Sequence, residues 1–510
     1  MSATTLLATF LAYTVFLFCI ARRTSRNIDH KAFYIGDRQS HWLIIAYGMI
    51  GASLSGVTFM SIPGNVYRDN CFYAQFAFSF LIGYAIVAFV LMPLYYKLNL
   101  TSIYSFLEQR FGFYSYKSGA TFFIVSRLLG AAIRTYVVIM VLHVFLLKQM
   151  GIPFWLVALV FVLLAILYTY QGGVQTMIWT DTFQTTLTLL ALVVTVLSIA
   201  AKLDISFSQL CSQVAASPYA TIVNWDTTSP SYLFKHVIAG VFTPIVMTGL
   251  DQGMMQKNMS CKNIREAQKN MILLAILAIG VISISLFLGV TLTIFCDQNG
   301  ITIGSEAADM IKDTDHIFPT VAFHHLGMLT GLMFFLGLIS AAYPTCANSL
   351  TALTTTMCVD MIGLEKNTLR NDKSKKNIRL VMQWIVTFLF LGTILTINAL
   401  KCDSVVNLLY WAAAYTYGPL MALYAFGLYT KRRVWDHCVP LICVIAVVAC
   451  FAVEYFNVIG LVIGAFHGGS YRFSFGFALL LVNACLTLLG LFLCSTKPMT
   501  AGPHKFSQEG

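Results

Sequence analysis

Apolar runs of about 18 residues or more recur along the whole chain, each long enough to cross a hydrocarbon layer about 30 Å thick as an α-helix. That feature excludes most architectures. In lipid every backbone N–H and C=O must find an internal partner, so segments of this kind fold as a bundle of helices. We read spans at 3–20, 41–63, 72–96, 119–147, 152–170, 177–201, 232–255, 270–295, 326–358, 379–398, 404–429, 436–456 and 473–494. Of 510 residues, 58% are hydrophobic and 10% charged. A soluble domain carries about a quarter charged residues and could not bury this much apolar surface.

Thirteen spans put alternate loops on opposite sides, and cytoplasmic loops are enriched in Lys and Arg. The segments after the odd-numbered spans hold most of the chain's 32 basic residues, with Arg370, Lys373, Lys375, Lys376 and Arg379 close together in one of them. The N-terminus is therefore expected outside and the C-terminus in the cytoplasm. The net charge of +11 reads as a topology signal rather than a nucleic-acid footprint. No basic residue precedes the first span, whereas Arg22, Arg23 and Arg26 follow it, which is the polarity of an uncleaved helix rather than a signal peptide. The 13 cysteines are scattered, mostly inside spans, where a thiol acts as a small hydrophobe. Cys71, Cys211, Cys296 and Cys402 fall near the outer face, where a disulfide is open. No glycosylation sequon falls in an outer loop, which favours a bacterial inner membrane.

No soluble segment interrupts the spans, so residues 1–495 are expected to form one transmembrane domain, with 496–510 as a short cytoplasmic tail. No P-loop occurs, and transport would be driven by a gradient or by nothing. No nucleophile–base arrangement or obligate protein partner is evident, and an enzyme is not expected.

Two spans carry helix-breaking clusters. The second holds Gly48, Gly51, Gly56, Pro63 and Gly64, and the seventh holds Gly240, Pro244 and Gly249 before Asp251. Each Gly costs up to about 1 kcal/mol against Ala in a helix and Pro about 3 kcal/mol. Close packing through small residues is one explanation. Unwinding is the other, and the positions favour it: the two spans are five apart, as when two five-helix inverted repeats each begin with a discontinuous helix.

The segments GASLSGVTFMSIPG (51–64), TSIYSFLEQRFG (101–112), GGVQTMIWTDTFQ (172–184), GLDQGMMQ (249–256) and SAAYPTCANSLTALTTTMCVD (340–360) together resemble the sodium:solute symporter family, which includes glucose, proline, iodide and sialic acid cotransporters. The resemblance implies an all-α, LeuT-like fold whose five-helix inverted repeats cover about 41–201 and 232–429, with one extra N-terminal and two extra C-terminal helices. It also implies secondary active transport by alternating access, with sodium as the coupling ion, a small solute as cargo and the lipid bilayer as surroundings.

What the resemblance implies for sodium is a site built from Gly51, Leu54, Ala342, Thr345 and Cys346. Unwound backbone supplies carbonyls that suit a hard cation. Cys346 departs from the family, which usually has a hydroxyl there, and a thiol is a poor ligand for sodium. A second sodium site is implied at Asp181, Thr345, Asn348 and Ser349, the last three on one helix face. The alternative is that Asp181 caps its helix near water and the hydroxyls only pack.

The same resemblance places the substrate against Ser53, Ser55, Thr58, Phe59, Gln75, Arg134 and Phe242, although the hydroxyls could instead bond the helix backbone. Arg134 lies about thirteen residues into its span, roughly 20 Å at 1.5 Å per residue, and a buried membrane charge faces a cavity or a partner. An Arg here is similar to that of the family's sialic acid transporters, where the guanidinium holds the substrate carboxylate. A sugar acid such as sialic acid, or another carboxylate, is then the leading cargo. A structural ion pair at Arg134 is the rival, with a neutral sugar, amino acid or vitamin as cargo. A channel or a transporter-like sensor are further functional alternatives.

Overall fold

A computed structural model of the chain describes residues 3–24, 42–53, 55–98, 102–169, 173–301, 314–364, 372–400, 405–457 and 474–496. These residues are almost entirely helical: α1 (Ala3–Thr24), α2 (Trp42–Ser53), α3 (Ile62–Asp69), α4 (Tyr73–Lys97), α5 (Ser105–Arg110), α6 (Phe113–Leu142), α7 (Phe154–Thr169), α8 (Gly173–Lys202), α9 (Phe207–Ala216), α10 (Leu233–Pro244), α11 (Gln252–Met259), α12 (Ile264–Gln298), α13 (Met328–Thr356), α14 (Asp372–Leu400), α15 (Val405–Tyr429), α16 (Val439–Tyr455) and α17 (Leu479–Leu493). One antiparallel two-residue pair, Arg433–Val434 with Ser495–Thr496, ties the end of α15 to the end of α17. Among the described residues eight helices are long and apolar enough to cross a membrane, or nine if a bent pair counts as one span. The first, second and fifth expected spans coincide with shorter apolar helices, Thr4–Ile20, Trp42–Gly51 and Phe154–Leu167.

Both glycine–proline clusters interrupt their helices. α2 ends at Ser53, Ser55 is non-helical, and the chain re-enters a π-helical turn at Val57–Ser61 before α3. Pro63 sits in the first turn of α3, where its missing N–H is not needed. In the second case Pro244 closes α10, Ile245–Gly249 is π-helical, and the chain bends by 70° into α11. Asp251 starts α11 as its N-cap, taking the Met254 N–H at 2.9 Å.

α13 is the structural centre. In its most apolar stretch 78% of residues are buried, against 28% for α14 and 28% for the span containing α16, so the latter two lie at the periphery. The reason is composition: α13 is built from Gly, Ala, Ser and Thr, which let neighbours approach closely. Its hydroxyls do not compete for partners, because Thr345, Ser349, Thr351 and Thr354 each bond the carbonyl four residues back. On the outer helices the exposed large side chains are apolar and fall at helical spacing, Val381, Trp384, Ile385, Phe388 and Leu389 on α14, and Leu441, Val444, Ile445, Val448 and Phe451 on α16. Such stripes suit lipid and not water.

α10 packs on α4 through a glycine. A Cβ at Gly240 would lie 2.0 Å from Ser79 Oγ and 2.3 Å from the Phe76 carbonyl oxygen. Gly240→Ala should therefore destabilise the protein by about 1–3 kcal/mol, as overpacked sites do. Gly280→Ala, on α12 with nothing within 4 Å of its Cβ position, should be neutral or slightly stabilising. Thermal unfolding of both variants in detergent checks the pair, and equal effects would refute the packing explanation.

Candidate functional site

The break after α2 lies against α8 and α13, and these three helices pack on one another. Gly51 packs closely against α8. A Cβ there would meet Thr185 Oγ1 at 2.4 Å and the Asp181 carbonyl oxygen at 3.0 Å. Ala342, Thr345 and Cys346 are buried on α13. Thr345 donates to the Ala341 carbonyl at 3.2 Å, which leaves its oxygen lone pairs free to accept or ligate. Pro344 lacks the N–H that would bond the Ser340 carbonyl, an effect of proline inside any helix. Leu54 lies outside the described residues, as does the side chain of Ser53.

Asp181 is no helix cap. α8 begins at Gly173, so Asp181 lies two turns inside it, and the residue is 1% exposed. Its Oδ2 accepts Asn348 Nδ2 at 3.2 Å and Lys257 Nζ at 2.5 Å. Ser349 is turned back, donating to the Thr345 carbonyl at 2.6 Å. The structure thus brings Asp181 and Asn348 together and adds a lysine that the sequence places in the loop after the seventh span. Lys257 sits on α11 and is 3% exposed. The one signal for it is its isolation, a single charge in the stretch between Asp251 and Lys262.

A central cavity of about 110 Å³ opens beside the break, with Ser55, Thr58, Tyr73, Arg134, Thr248 and Tyr410 among its lining residues. Two arginines from one face of α6 reach it, two turns apart. Arg127 is paired: its Nη1 lies 2.8 Å from Asp251 Oδ2, and Asp251 is fully buried. Arg134 faces the cavity, and among the described residues no carboxylate comes within 4 Å of it. Tyr73 and Tyr410 meet hydroxyl to hydroxyl at 2.5 Å over the cavity. A second cavity of about 320 Å³ shares Tyr73 and Ile62 with the first.

The remaining expected substrate residues sit elsewhere. Gln75 donates to the Ser231 carbonyl at 2.5 Å, contacts His236 Nδ1 at 3.1 Å and accepts the Asn224 N–H at 3.3 Å, so its amide joins α4 to the segment before α10 and to α10 itself. Phe59 is buried in a ring cluster with Phe318 and Phe334. Phe242 packs against the core next to the lining residues Thr243 and Pro244. The family resemblance marked these side chains as lining but carried no information on their tertiary partners. Tyr73, Tyr410 and Thr248 were missed, since a tyrosine or threonine in an apolar span has no spacing signature.

Removing one member of the Arg127–Asp251 pair should be costly. Arg127→Met leaves the Asp251 carboxylate buried without its cation, and a loss of about 3–5 kcal/mol is expected. The double variant Arg127→Met/Asp251→Asn removes both charges and keeps a capping side chain for α11, so most of the stability should return. Thermal unfolding of the three proteins tests this. A double variant as unstable as the single one would show that the charges are not what hold this junction.

The model of the sodium:solute symporter family matches residues 33–435. The sodium-coupled monocarboxylate transporter 1 of Xenopus laevis is 27% identical over 417 residues, covering 78% of this chain but 63% of that protein, so the chain matches less than two thirds of its length. The sodium/sialic acid symporter of Proteus mirabilis is 24% identical, covering 82% of this chain and 83% of that one. In three dimensions the chain superposes on a sodium-coupled sialic acid symporter, solved in a substrate-bound outward-open state, with a TM-score of 0.77 at 19% identity, over 96% of this chain and 97% of the other. A nucleobase–cation symporter in a closed conformation follows with a TM-score of 0.56 at 12% identity. The helix breaks, the Asp181 cluster and the arginine-lined cavity all lie inside the matched region, and the chain belongs to the sodium:solute symporter family.

Proposed function

We propose that this protein is a secondary active transporter that couples sodium entry to symport of a small carboxylate by alternating access. The observation that carries the carboxylate is the contrast between the two arginines. Arg127 is neutralised by Asp251, whereas Arg134 lines the same cavity with no carboxylate within 4 Å of it among the described residues. A guanidinium in a low-dielectric cavity calls for an anionic partner, and its planar donor fork suits a carboxylate. The similar proteins include transporters of monocarboxylates and of sialic acid, so both sizes of acid belong in the first panel. Ser55 and Thr58 supply hydroxyls beside Arg134.

In this reading sodium binds where α2 breaks, held by the carbonyls of Gly51, Leu54 and Ala342 and the Thr345 hydroxyl, with Cys346 a weak member of the set. The first core helix and α13 form the site together, so its occupancy depends on how they sit relative to each other. Thirteen spans, with inverted repeats over about 41–201 and 232–429 inside a domain of 1–495, give the two halves that move. Lys and Arg placement favours an N-terminus outside and a C-terminus in the cytoplasm, and the lack of a glycosylation sequon in the outer loops favours a bacterial inner membrane.

Uptake into proteoliposomes tests the proposal, with labelled pyruvate and sialic acid as acids and glucose and proline as neutral solutes. At least one acid should accumulate under an inward sodium gradient, and replacing sodium by choline should abolish this. Uptake that ignores the replacement would refute sodium coupling, and accumulation of the neutral solutes alone would refute the carboxylate. For the transported acid, Arg134→Lys should weaken binding by about 2–3 kcal/mol, roughly 30- to 150-fold, while the amide analogue binds wild type and variant alike. Equal losses for acid and amide would make Arg134 structural.

A further inference from the structure

We propose that Lys257 is a tethered cation that fills the position at Asp181 expected for a second sodium ion, so that one sodium ion accompanies each solute. The inference rests on the sodium-coupled reading above and concerns its stoichiometry.

The geometry is that of an occupied cation site. The Lys257 ammonium lies 2.5 Å from Asp181 Oδ2, with side-chain exposures of 4% and 1%. Asn348 turns its Nδ2 toward that same oxygen, as a neighbour of a carboxylate does, while its own Oδ1 has no hydrogen-bond partner among the described residues. Asp181 is the one carboxylate in the expected second site, and the lysine neutralises it. A further cation there would face the ammonium at short range in a medium that screens poorly.

Nor is the lysine a loose surface chain that has folded inward. It is delivered by α11, whose first turn is capped by Asp251 and tied through Asp251 to Arg127 on α6. α11 also packs on α2, α8 and α13, the three helices that carry the expected sodium ligands. The backbone that presents Lys257 is thus held at both ends by buried charge pairs, one to α6 and one to α8.

The same geometry says what happens without the ammonium. Asp181 would keep two oxygens, its Oδ1 already without a partner among the described residues, and Asn348 Oδ1 would stand beside them. An anionic oxygen cluster in a space vacated by a cation suits sodium, a hard ion that takes oxygen ligands.

Equilibrium dialysis of the purified full-length protein against radiolabelled sodium counts the ions bound. One ion per wild-type chain is expected, two for Lys257→Gln, and one again for Lys257→Gln/Asp181→Asn. Two ions on wild type, or one on Lys257→Gln, would overturn the inference and leave sodium coupling intact, whereas none on wild type would remove sodium coupling itself. Should Lys257→Gln fail to fold, the wild type and the charge-neutral double variant decide: one ion on each supports the inference. A double variant that binds none would place Asp181 in the occupied site and overturn it.

Discussion

A helix broken inside lipid must find partners for the backbone groups and charges that the break exposes, and in this protein the short helix Gln252–Met259 meets that demand at both ends. Asp251 caps its first turn and takes the Arg127 guanidinium with its second oxygen. Near its last turn Lys257 reaches Asp181. Eight residues, too few to be stable alone, are thereby fixed against two long helices, and the bend of 70° before them is held in place. Residues on both sides of that bend, Pro244 and Thr248 before it and Met254 after it, line the central cavity.

Charge balance follows from the same arrangement. Arg127 with Asp251 and Lys257 with Asp181 are two neutral units, each buried. Such pairs add little net stability by themselves but make the loss of either member expensive. Arg134 stands outside this balance, and it does so where there is open volume. Packing, not charge, makes up the rest of the core: the small residues of α13 let α2, α6 and α8 close around it.

Much of this was legible in the sequence, and the reasons are local. Hydropathy located the long helices, because a lipid-spanning segment carries its signal within itself. Gly and Pro marked both breaks for the same reason. Arg134 stood out because a charge deep in an apolar run has few explanations. What stayed hidden depends on distant segments. Lys257 looked like one more basic residue of a loop, since nothing near it announces a partner 76 positions away. Gln75 looked like a polar lining residue until its amide was seen bonded to Ser231, Asn224 and His236. Phe59 has ring contacts with Phe318 and Phe334, partners that no local pattern announces.

The hydroxyl contact between Tyr73 and Tyr410 sets an energetic ranking within the molecule. It is a neutral hydrogen bond, which contributes about 1 kcal/mol net, backed by ring contacts of Tyr410 with Phe76 and Phe477 worth about 0.5–1.5 kcal/mol each. Together these come to about 2–4 kcal/mol, and a contact of that strength opens spontaneously in about 0.1–3% of molecules without any ligand to drive it. Taking one partner from a buried charge pair, such as the two that fix the bent helix, costs about 3–5 kcal/mol each. Thermal fluctuation should therefore part the two tyrosines more often than it disturbs the bend, and Tyr73, which lines both cavities, is the side chain whose movement would connect them.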